Sequence, residues 1–472
     1  MKTIIAVFLL LSLCLSVGCS SNTAVSDGTT DADTTVADTT VSDETTDVVT
    51  DLPENKFEMR EDQVYAADLI KDADTVSVAF IGGSLTECGI NTNSMFPGWP
   101  NTSRKWVNDV LNYFVTGSVN GSKQIRNVNA VNLALGGTGS DYGSARFLQH
   151  LGDFAPDILF FEFSCNDHYW GADNASLYLE YIIRRCLEFD KIPVIVVLHA
   201  PVPWEESSDG FALYQAGVAE KNKVAEHYGI KTIDIYDYMK RQHAASGSEL
   251  SLLDYIGAMG YYFMKDGEYD VHPSNEGYAM FSGAFFETLE ADYDGTMAKI
   301  KFADVYNTDK KEFVDSRMNY KKLTDESISY EGDWKYYTME SPFITDDYDI
   351  DFDEYALESR LAFPDGMYQV VNCPGASFTV TTSASAISLT YLSSIKGLNS
   401  TVYLVNSDGS NGEVIGTLNQ YSKYDTVNYM SKWFEIPDNG EEQHTVRIVI
   451  DDPTEERYVF KMGHIIERFD KK

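Results

Sequence analysis

The strongest constraint on the fold is a regular alternation, between residues 57 and 292, of short apolar runs with longer stretches of helical spacing. The apolar runs are rich in β-branched residues: Val76–Ile81, Val128–Leu133, Ile158–Phe163, Pro193–Leu198 and Ile230–Ile235. The helical spacing occurs in Arg104–Phe114, Ser176–Phe189, Phe211–Tyr228 and Ser274–Leu289. Continuously apolar strands that alternate with helices predict a parallel sheet covered by helices on both faces. The functional groups of such a sheet gather at the carboxyl ends of its strands.

The pattern changes after about residue 296. Apolar and polar residues alternate with a period of two in segments such as Ser377–Thr381, Ile387–Tyr391 and Thr445–Ile450, and turn residues separate these segments. Short strands of this kind, with almost no helical spacing between them, predict a second domain that is an antiparallel β-sandwich of jelly-roll-like form.

The first residues have the features of an export signal. Lys2 precedes an apolar run, Ile4–Leu15, that is too short to span a bilayer. The sequence Leu15-Ser16-Val17-Gly18-Cys19 then resembles a bacterial lipobox, with Ser16 where Leu is usual, and the resemblance implies a lipid on Cys19. Cleavage near Gly18 with release of the protein is the alternative. Both interpretations predict an exported protein, tethered to the cell surface or secreted.

These patterns predict five segments along the chain. We expect a signal peptide or lipobox at 1–19, a disordered Thr/Asp-rich linker at 20–55, the α/β domain at 56–295, a connecting segment at 296–329 and the β-sandwich at 330–472.

Charge and cysteine content exclude several classes of function. The formal net charge of −37 makes nucleic acid and anionic lipid surfaces unfavourable partners. The six cysteines show neither C-x-x-C pairs nor zinc-ligand spacing with histidine, so the sequence indicates no metal and no cofactor.

Four short motifs carry the candidate chemistry. The first apolar run leads into Gly82-Gly83-Ser84, which places a hydroxyl on a tight turn at the carboxyl edge of the sheet. Gly136-Gly137 and Asn166-Asp167 follow the next two strands along the chain, and His272 stands near the end of the α/β region.

The order of these motifs resembles that of the SGNH/GDSL hydrolase superfamily, in its exported bacterial branch that acts on acylated carbohydrates. The resemblance covers about residues 74 to 292 and implies a flavodoxin-like α/β/α hydrolase domain. Matched position by position, it implies that Ser84 is the nucleophile and His272 the general base. It also implies an oxyanion hole formed by the N–H groups of Ser84 and Gly137 and the side chain of Asn166.

The acidic member of the site is less clearly indicated. The family's acid usually lies three residues before the histidine, where this chain has Tyr269. Asp270, two residues before, is our expected partner of His272; Asp266 and Glu268 lie further back. The alternative is a Ser–His dyad whose imidazole is oriented by a backbone carbonyl.

Residues near the expected mouth of the site are candidate substrate contacts. The aromatic candidates are equally compatible with loop packing, and they are Trp99, Tyr169, Trp170 and Trp204. The other two candidates, His168 and His199, are either substrate-proximal or structural. The sandwich resembles accessory modules of carbohydrate-active enzymes, which either bind glycan or brace the catalytic domain.

Together these features predict a serine esterase that removes O-acyl groups, acetyl in the first place, from extracellular poly- or oligosaccharide. Two alternatives stay open. One is an esterase or thioesterase acting on lipid or small acyl esters, and the other is a tethered glycan-binding protein without catalytic activity.

Overall fold

The computed structural model describes residues 58–87, 106–116, 127–168, 172–265, 268–292, 299–337, 367–393, 396–421, 428–438, 440 and 442–470.

A five-stranded parallel sheet forms the centre of the first domain. The strands of the first domain are β1 (Val64–Tyr65), β2 (Thr75–Gly82), β3 (Asn127–Asn132), β4 (Ile158–Glu162), β5 (Lys191–Ile192), β6 (Val194–His199), β7 (Lys231–Asp234), β8 (Tyr262–Lys265) and β9 (Glu268–Pro273). The main sheet has the order β3-β2-β4-β6-β7, and all of its neighbours are parallel.

This strand order is that of flavodoxin-like sheets, in which the chain reverses its direction of winding beside the first strand of the sheet. Here the reversal lies at β2, which has β3 on one side and β4 on the other. The crevice at the carboxyl ends of these three strands is therefore the expected place for a ligand.

Both faces of the sheet are buried. Alternate residues of each strand point to opposite sides, so neighbouring residues belong to different apolar clusters. Phe80 and Phe160 pack on one face in a cluster that also contains Trp106, whereas Ile81 and Phe161 pack on the other. The predicted three-layer arrangement is thus confirmed. The polar edge strand β3 is the exception, since four of its six residues are exposed.

Helices cover both faces. They are α1 (Ala66–Leu69), α2 (Ser84–Glu87), α3 (Trp106–Thr116), α4 (Ser140–Leu151), α5 (Ser164–Asp167), α6 (Ala172–Cys186), α7 (Asp209–Tyr228), α8 (Ile235–Ser246), α9 (Leu252–Ala258), α10 (Asn275–Asp292) and α11 (Lys311–Asp315). Helix α7 shows how the sequence sets these bounds. The Ser208 hydroxyl caps its first turn by accepting from Phe211 N–H, and Gly229 ends it in the left-handed conformation.

The second domain consists of two antiparallel sheets, which confirms the predicted sandwich. Its strands are β10 (Arg317–Lys321), β11 (Ile328–Glu331), β12 (Lys335–Tyr337), β13 (Met367–Val371), β14 (Ser377–Thr382), β15 (Ala386–Ser393), β16 (Asn399–Val405), β17 (Asn411–Asn419), β18 (Asn428–Glu435), β19 (His444–Ile450) and β20 (Val459–Phe469). One sheet has the order β12-β13-β20-β15-β18, with β10 also paired to β20, and the other has the order β11-β14-β19-β16-β17. Phe378, Val402, Ile448 and Phe460 belong to the core between them.

The segment 296–329, predicted to be only a connection, contributes two strands to the sandwich. Strand β10 pairs along its whole length with the end of β20, and β11 pairs with β14. These strands are only five and four residues long, so their alternation is too short to stand out from a connecting sequence. The sandwich therefore begins at Arg317 rather than at residue 330.

The α/β domain and the sandwich lie in one compact unit, Lys56–Lys472. Tyr142 of α4 shares a hydrogen bond of 3.0 Å with His464 of β20, and both side chains are buried. Arg184 of α6 forms a buried ion pair of 2.6 Å with Asp315 of α11. The sandwich is thus joined to the α/β domain by the Tyr142–His464 contact, and the segment that leads into the sandwich is joined to α6 by a buried ion pair.

Several sequence predictions fall outside the described residues: the export segment with Cys19, and the linker at 20–55. Among the described cysteines, Cys165 and Cys186 are buried and Cys373 is partly exposed, and all three are free thiols. No helix in the described part of the chain is long and apolar enough to cross a membrane.

The aromatic cluster beneath the first turn of the sheet gives a direct test of the fold. The Phe160 ring stacks on Phe80 at 5.0 Å and lies edge-on to Trp106 at 5.9 Å, and it is fully buried. Phe160→Ala should lower the free energy of unfolding by about 3–5 kcal/mol, because it removes this packing and leaves a cavity. Urea unfolding followed by tryptophan fluorescence measures the loss.

Leu213→Ala is the control for this experiment, since Leu213 is 51% exposed. It should change the free energy of unfolding by less than about 0.5 kcal/mol. Equal effects of the two substitutions would contradict the assignment of Phe160 to the core.

Candidate active site

A chain of two hydrogen bonds joins Ser84, His272 and Asp270. The Ser84 hydroxyl at the start of α2 lies 2.8 Å from Nε2 of His272, and Nδ1 of His272 lies 2.5 Å from Oδ1 of Asp270. The same oxygen of Asp270 accepts the backbone N–H of His272 at 2.8 Å. Because a carboxylate only accepts, Nδ1 carries the imidazole hydrogen, and Nε2 is left to accept the proton of Ser84.

The strand β9 presents the acid despite its unusual spacing. Asp270 and His272 lie two residues apart on this strand, and their side chains are 23% and 22% exposed. Residues two apart on a strand point to the same face, which brings the carboxylate to the imidazole without a longer loop. The arrangement expected with Asp270 is the one observed, and the alternative Asp266 lies outside the described residues.

The glycine pair before Ser84 is required by close contacts. A Cβ on Gly82 would come within 2.5 Å of the Thr86 hydroxyl and 2.6 Å of the Glu162 carbonyl oxygen. A Cβ on Gly83 would lie 2.3 Å from Oδ1 of Asn166. Only glycine therefore lets the turn after β2 approach the turn after β4, and this approach brings Asn166 next to Ser84.

The turn after β3 is hydrogen-bonded to residues on both sides of Ser84. Leu135 N–H donates to the Gly82 carbonyl at 2.9 Å, and Gly136 N–H donates to the Glu87 carboxylate at 2.8 Å. Gly137 follows with a φ of +71°, a left-handed conformation that favours glycine. The structure thus brings together all five predicted residues of the reactive centre: Ser84, Gly137, Asn166, Asp270 and His272.

The two histidines proposed near the substrate are buried instead. His199 is fully buried, accepts at Nδ1 from the Ser164 hydroxyl at 2.8 Å, and shares its Nε2 hydrogen with Asn222 at 3.0 Å. Burial, reinforced by the charge of Lys221, lowers the pKa of His199 to about 3, so the ring is neutral. Of the two roles left open for His199, substrate contact or structure, the burial of its side chain favours the structural role.

His168 is also buried. Its Nδ1 bonds to the Cys165 carbonyl at 2.5 Å, and its ring packs edge-on against Trp204 at 4.8 Å between centroids. Burial lowers the pKa of His168. Its position supports a role in holding Trp204 rather than in binding substrate.

Trp204 is the one aromatic candidate at the mouth that lies among the described residues. It is partly exposed and lines a cavity of about 240 Å³ together with Glu206, Tyr236, Ser251 and other residues. Helix α9, which supplies part of the wall, packs through Gly257 against Tyr269, the neighbour of Asp270. Trp99, Tyr169 and Trp170 lie outside the described residues.

A protein-family model matches the part of the chain that carries this site. A model of the GDSL-like lipase/acylhydrolase family matches residues 80–280, which include all five residues of the reactive centre. The α/β domain matches this family. A search of curated protein sequences finds no match.

One solved structure shows the same two-domain architecture. A two-domain esterase (CEX) active on acetylated mannans is 16% identical with a TM-score of 0.59, and the match covers 86% of this chain and 94% of that one. An acetylxylan esterase from Geobacillus stearothermophilus is 17% identical with a TM-score of 0.34, over 45% of this chain and 93% of that one. The first comparison shows that this GDSL-like hydrolase domain and its sandwich share the fold of a complete two-domain protein.

Sequence reasoning missed four charged residues behind the reactive centre: Glu162, Asp167 and Lys221, which are buried, and Glu87, which is partly buried. Glu87, Glu162 and Asp167 stand within the motifs themselves, so their position in the sequence was an available signal. Lys221 gave no signal, because a lysine in the middle of a long helix is usually solvent-exposed.

Glu162 of this GDSL-like domain lies directly behind the nucleophile turn. It is fully buried, and its Oε2 accepts the Thr86 hydroxyl at 2.8 Å. Its Oε1 has no hydrogen-bond partner within the described part of the chain. Burial raises the pKa of Glu162 from 4.5 to about 7, against the opposing effects of Thr86 and Lys221.

This shift predicts a pH-dependent cost to stability. The folded state binds the Glu162 proton more tightly than the unfolded state, so stability falls as pH rises from about 4.5 to about 7. Glu162→Gln removes the ionisation and keeps an acceptor for Thr86. It should raise the free energy of unfolding at pH 8 by an amount on the order of 3 kcal/mol, with a much smaller gain at pH 5.

Denaturant unfolding at the two pH values measures this difference, with Glu226→Gln on the exposed face of α7 as the control. A gain for Glu162→Gln that is the same at both pH values would show that the carboxyl group ionises as freely in the folded as in the unfolded chain.

Proposed function

We propose that this chain is a serine esterase that removes O-acyl groups, above all acetyl, from extracellular polysaccharide through an acyl-enzyme intermediate. The observation that carries the proposal is the hydrogen-bonded chain Ser84–His272–Asp270 beside Gly137 and Asn166. A serine hydroxyl is a weak nucleophile until a neighbouring base accepts its proton, and Nε2 of His272 is placed to do so.

The first half of the reaction forms the acyl-enzyme. Ser84 Oγ attacks the ester carbonyl while its proton passes to Nε2 of His272, and Asp270 stabilises the resulting imidazolium. The negative oxygen of the tetrahedral intermediate is bound by the N–H groups of Ser84 and Gly137 and by the Asn166 amide. Collapse breaks the bond to the sugar oxygen, which leaves with the proton from His272.

The second half regenerates the enzyme. Water gives a proton to His272 and attacks the acyl carbon, and the same donors bind the second tetrahedral intermediate. Its collapse releases the carboxylic acid and returns the proton to Ser84. Loss of one oxyanion donor typically costs about 2.7–4 kcal/mol of transition-state stabilisation, so these donors supply a large share of the rate enhancement.

A carbohydrate ester is the substrate that the comparisons favour. The fold match to the acetylmannan-active esterase extends over both domains, and that esterase was also crystallised with mannopentaose. Trp204 offers an aromatic surface beside carboxylates and hydroxyls in an open cavity, a combination suited to sugar rings and their hydroxyl groups.

The N-terminal sequence supports an extracellular place of action. The apolar run Ile4–Leu15 and the lipobox-like sequence ending at Cys19 support export, with attachment to the membrane through a lipid on Cys19. The acidic linker at 20–55 would then extend from the anchor toward polymer outside the cell.

The proposal is tested by hydrolysis of 4-nitrophenyl acetate, acetylated mannan, acetylated xylan and 4-nitrophenyl palmitate. The wild type should release acetate from at least one polysaccharide and prefer acetyl to palmitoyl esters. Ser84→Ala should lower kcat by about 10⁶-fold, because no other group supplies the nucleophile.

Ser246→Ala, at an exposed serine on α8, should keep the wild-type rates. A clear preference for the long-chain ester would favour the lipid esterase instead. A wild type without hydrolytic activity that still binds glycan would favour the binding protein.

The role of Asp270 has a separate test. Asp270→Asn places an amide against Nδ1 of His272 and favours the wrong tautomer, so kcat should fall by about 10³–10⁴-fold with little change in KM. Kinetics with 4-nitrophenyl acetate measure both constants. Asp266→Asn is the matched control and should stay near wild type. If Asp270→Asn keeps full activity, a Ser–His dyad operates.

A further inference from the structure

A fully buried ion pair lies behind the turn that carries Asn166. Nζ of Lys221, from the middle of α7, lies 2.6 Å from Oδ2 of Asp167, and the two side chains are 0% and 1% exposed. Neither residue reaches the surface from which substrate approaches. The pair therefore requires an explanation other than binding or steering of a charged ligand.

The Asp167 carboxylate joins two of the loops that form the reactive centre. Its Oδ1 accepts the backbone N–H of Ser140 at 2.8 Å. Ser140 begins α4 three residues after Gly137, and Asp167 directly follows Asn166. One side chain thus connects the segment that presents the Gly137 N–H to the segment that presents the Asn166 amide.

Lys221 fixes that carboxylate and the turn that bears it. Its ammonium group also donates to the Ser164 hydroxyl at 3.3 Å, and Ser164 in turn donates to His199. Both ends of the short helix α5, Ser164 and Asp167, are therefore held by one lysine. The orientation of α5, and with it the position of Asn166, depends on this contact.

Stability alone gives little reason for such a pair. The cost of removing two charges from water usually cancels their attraction, and apolar residues of similar volume are often as stabilising. A buried pair does have a strict geometry, because misplacement of either partner leaves a charge without compensation. It is suited to holding two loops at a fixed separation.

We propose that Asp167 and Lys221 are a positioning pair that fixes the Gly137 and Asn166 oxyanion donors relative to each other. This inference rests on the proposed esterase function. The pair does not touch the substrate. Its contribution is to preorganise donors that act on the negative oxygen of the tetrahedral intermediate, so it affects the transition state more than the bound ester.

Two charge-neutral double variants test the pair. Asp167→Asn/Lys221→Met keeps an acceptor for Ser140 N–H, whereas Asp167→Leu/Lys221→Met removes it, and both variants remove the two charges of the pair together. With 4-nitrophenyl acetate, kcat should fall by about tenfold in the first and about 100-fold in the second, because small displacements of catalytic groups have effects of this size. KM should change by less than about threefold in both.

A second readout separates positioning from a general loss of structure. Phenylboronic acid adds to the Ser84 oxygen, with the proton passing to His272, and gives an anionic tetrahedral adduct that resembles the intermediate. Its inhibition constant should rise in parallel with the loss in kcat. Thermal melting of each variant shows that the folded state is retained.

The buried pair Arg184–Asp315, which joins the last turn of α6 to α11, is the matched control. Arg184→Met/Asp315→Leu should change the melting temperature while leaving kcat and the boronate constant at wild-type values. Two folded Asp167 variants with wild-type kcat would overturn the proposal. If the leucine variant does not fold, the asparagine variant decides alone, since a wild-type kcat there is equally incompatible with the proposed role.

This experiment also distinguishes the inference from the proposed function. A wild type without Ser84-dependent hydrolysis refutes the esterase function itself. If the wild type is active and the Asp167 variants have a lower melting temperature and a higher KM, but wild-type kcat and boronate affinity, only the positioning role is refuted.

Discussion

The reactive centre depends on the close approach of two turns, the one after β2 and the one after β4. Gly83 permits this approach, because a Cβ at that position would lie 2.3 Å from Asn166 Oδ1. Strands β2 and β4 are neighbours in the sheet, and β3 lies on the other side of β2, so the three turns meet where the strand order reverses. His272 lies 188 positions after Ser84 in the sequence, on a separate hairpin, and its imidazole meets the Ser84 hydroxyl at the same edge.

The geometry at the surface is held by carboxyl groups that lie behind it, of which Glu162 and Asp167 are buried and Glu87 is partly buried. Glu87 binds the Gly136 N–H, Glu162 binds Thr86, and Asp167 binds the Ser140 N–H. Each carboxyl group fixes a backbone or hydroxyl group within a few residues of a reactive atom. Burial of such groups has a cost in free energy, as the raised pKa of Glu162 indicates. Active sites commonly contain groups whose burial lowers the stability of the fold, where those groups hold hydrogen-bond donors and nucleophiles in position.

The sequence was sufficient for the sheet, the sandwich and four of the candidate residues, Ser84, Gly137, Asn166 and His272, because each has a local signal. Apolar runs such as Ile158–Phe163 define buried strands, and Gly82-Gly83-Ser84 defines the nucleophile turn. The position of Asp270 was open because one residue of spacing separates it from the family pattern, and only the strand geometry of β9 decides which side chain meets the imidazole. Lys221 and the inward direction of His199 were beyond reach, since both depend on which helix covers which strand end.

The sandwich is coupled to the reactive centre through α4. The N-terminus of this helix is bound on one side by Asp167, while its residues Asp141 and Tyr142 contact Ser431 and His464 of the sandwich on the other. His464 is fully buried, and burial together with nearby positive groups lowers its pKa well below the usual value, so its ring is neutral at this contact. Because Gly137 lies only three residues before this helix, a shift of the sandwich would be transmitted to the loop that carries an oxyanion donor. These contacts support a role of the sandwich as a brace for the α/β domain.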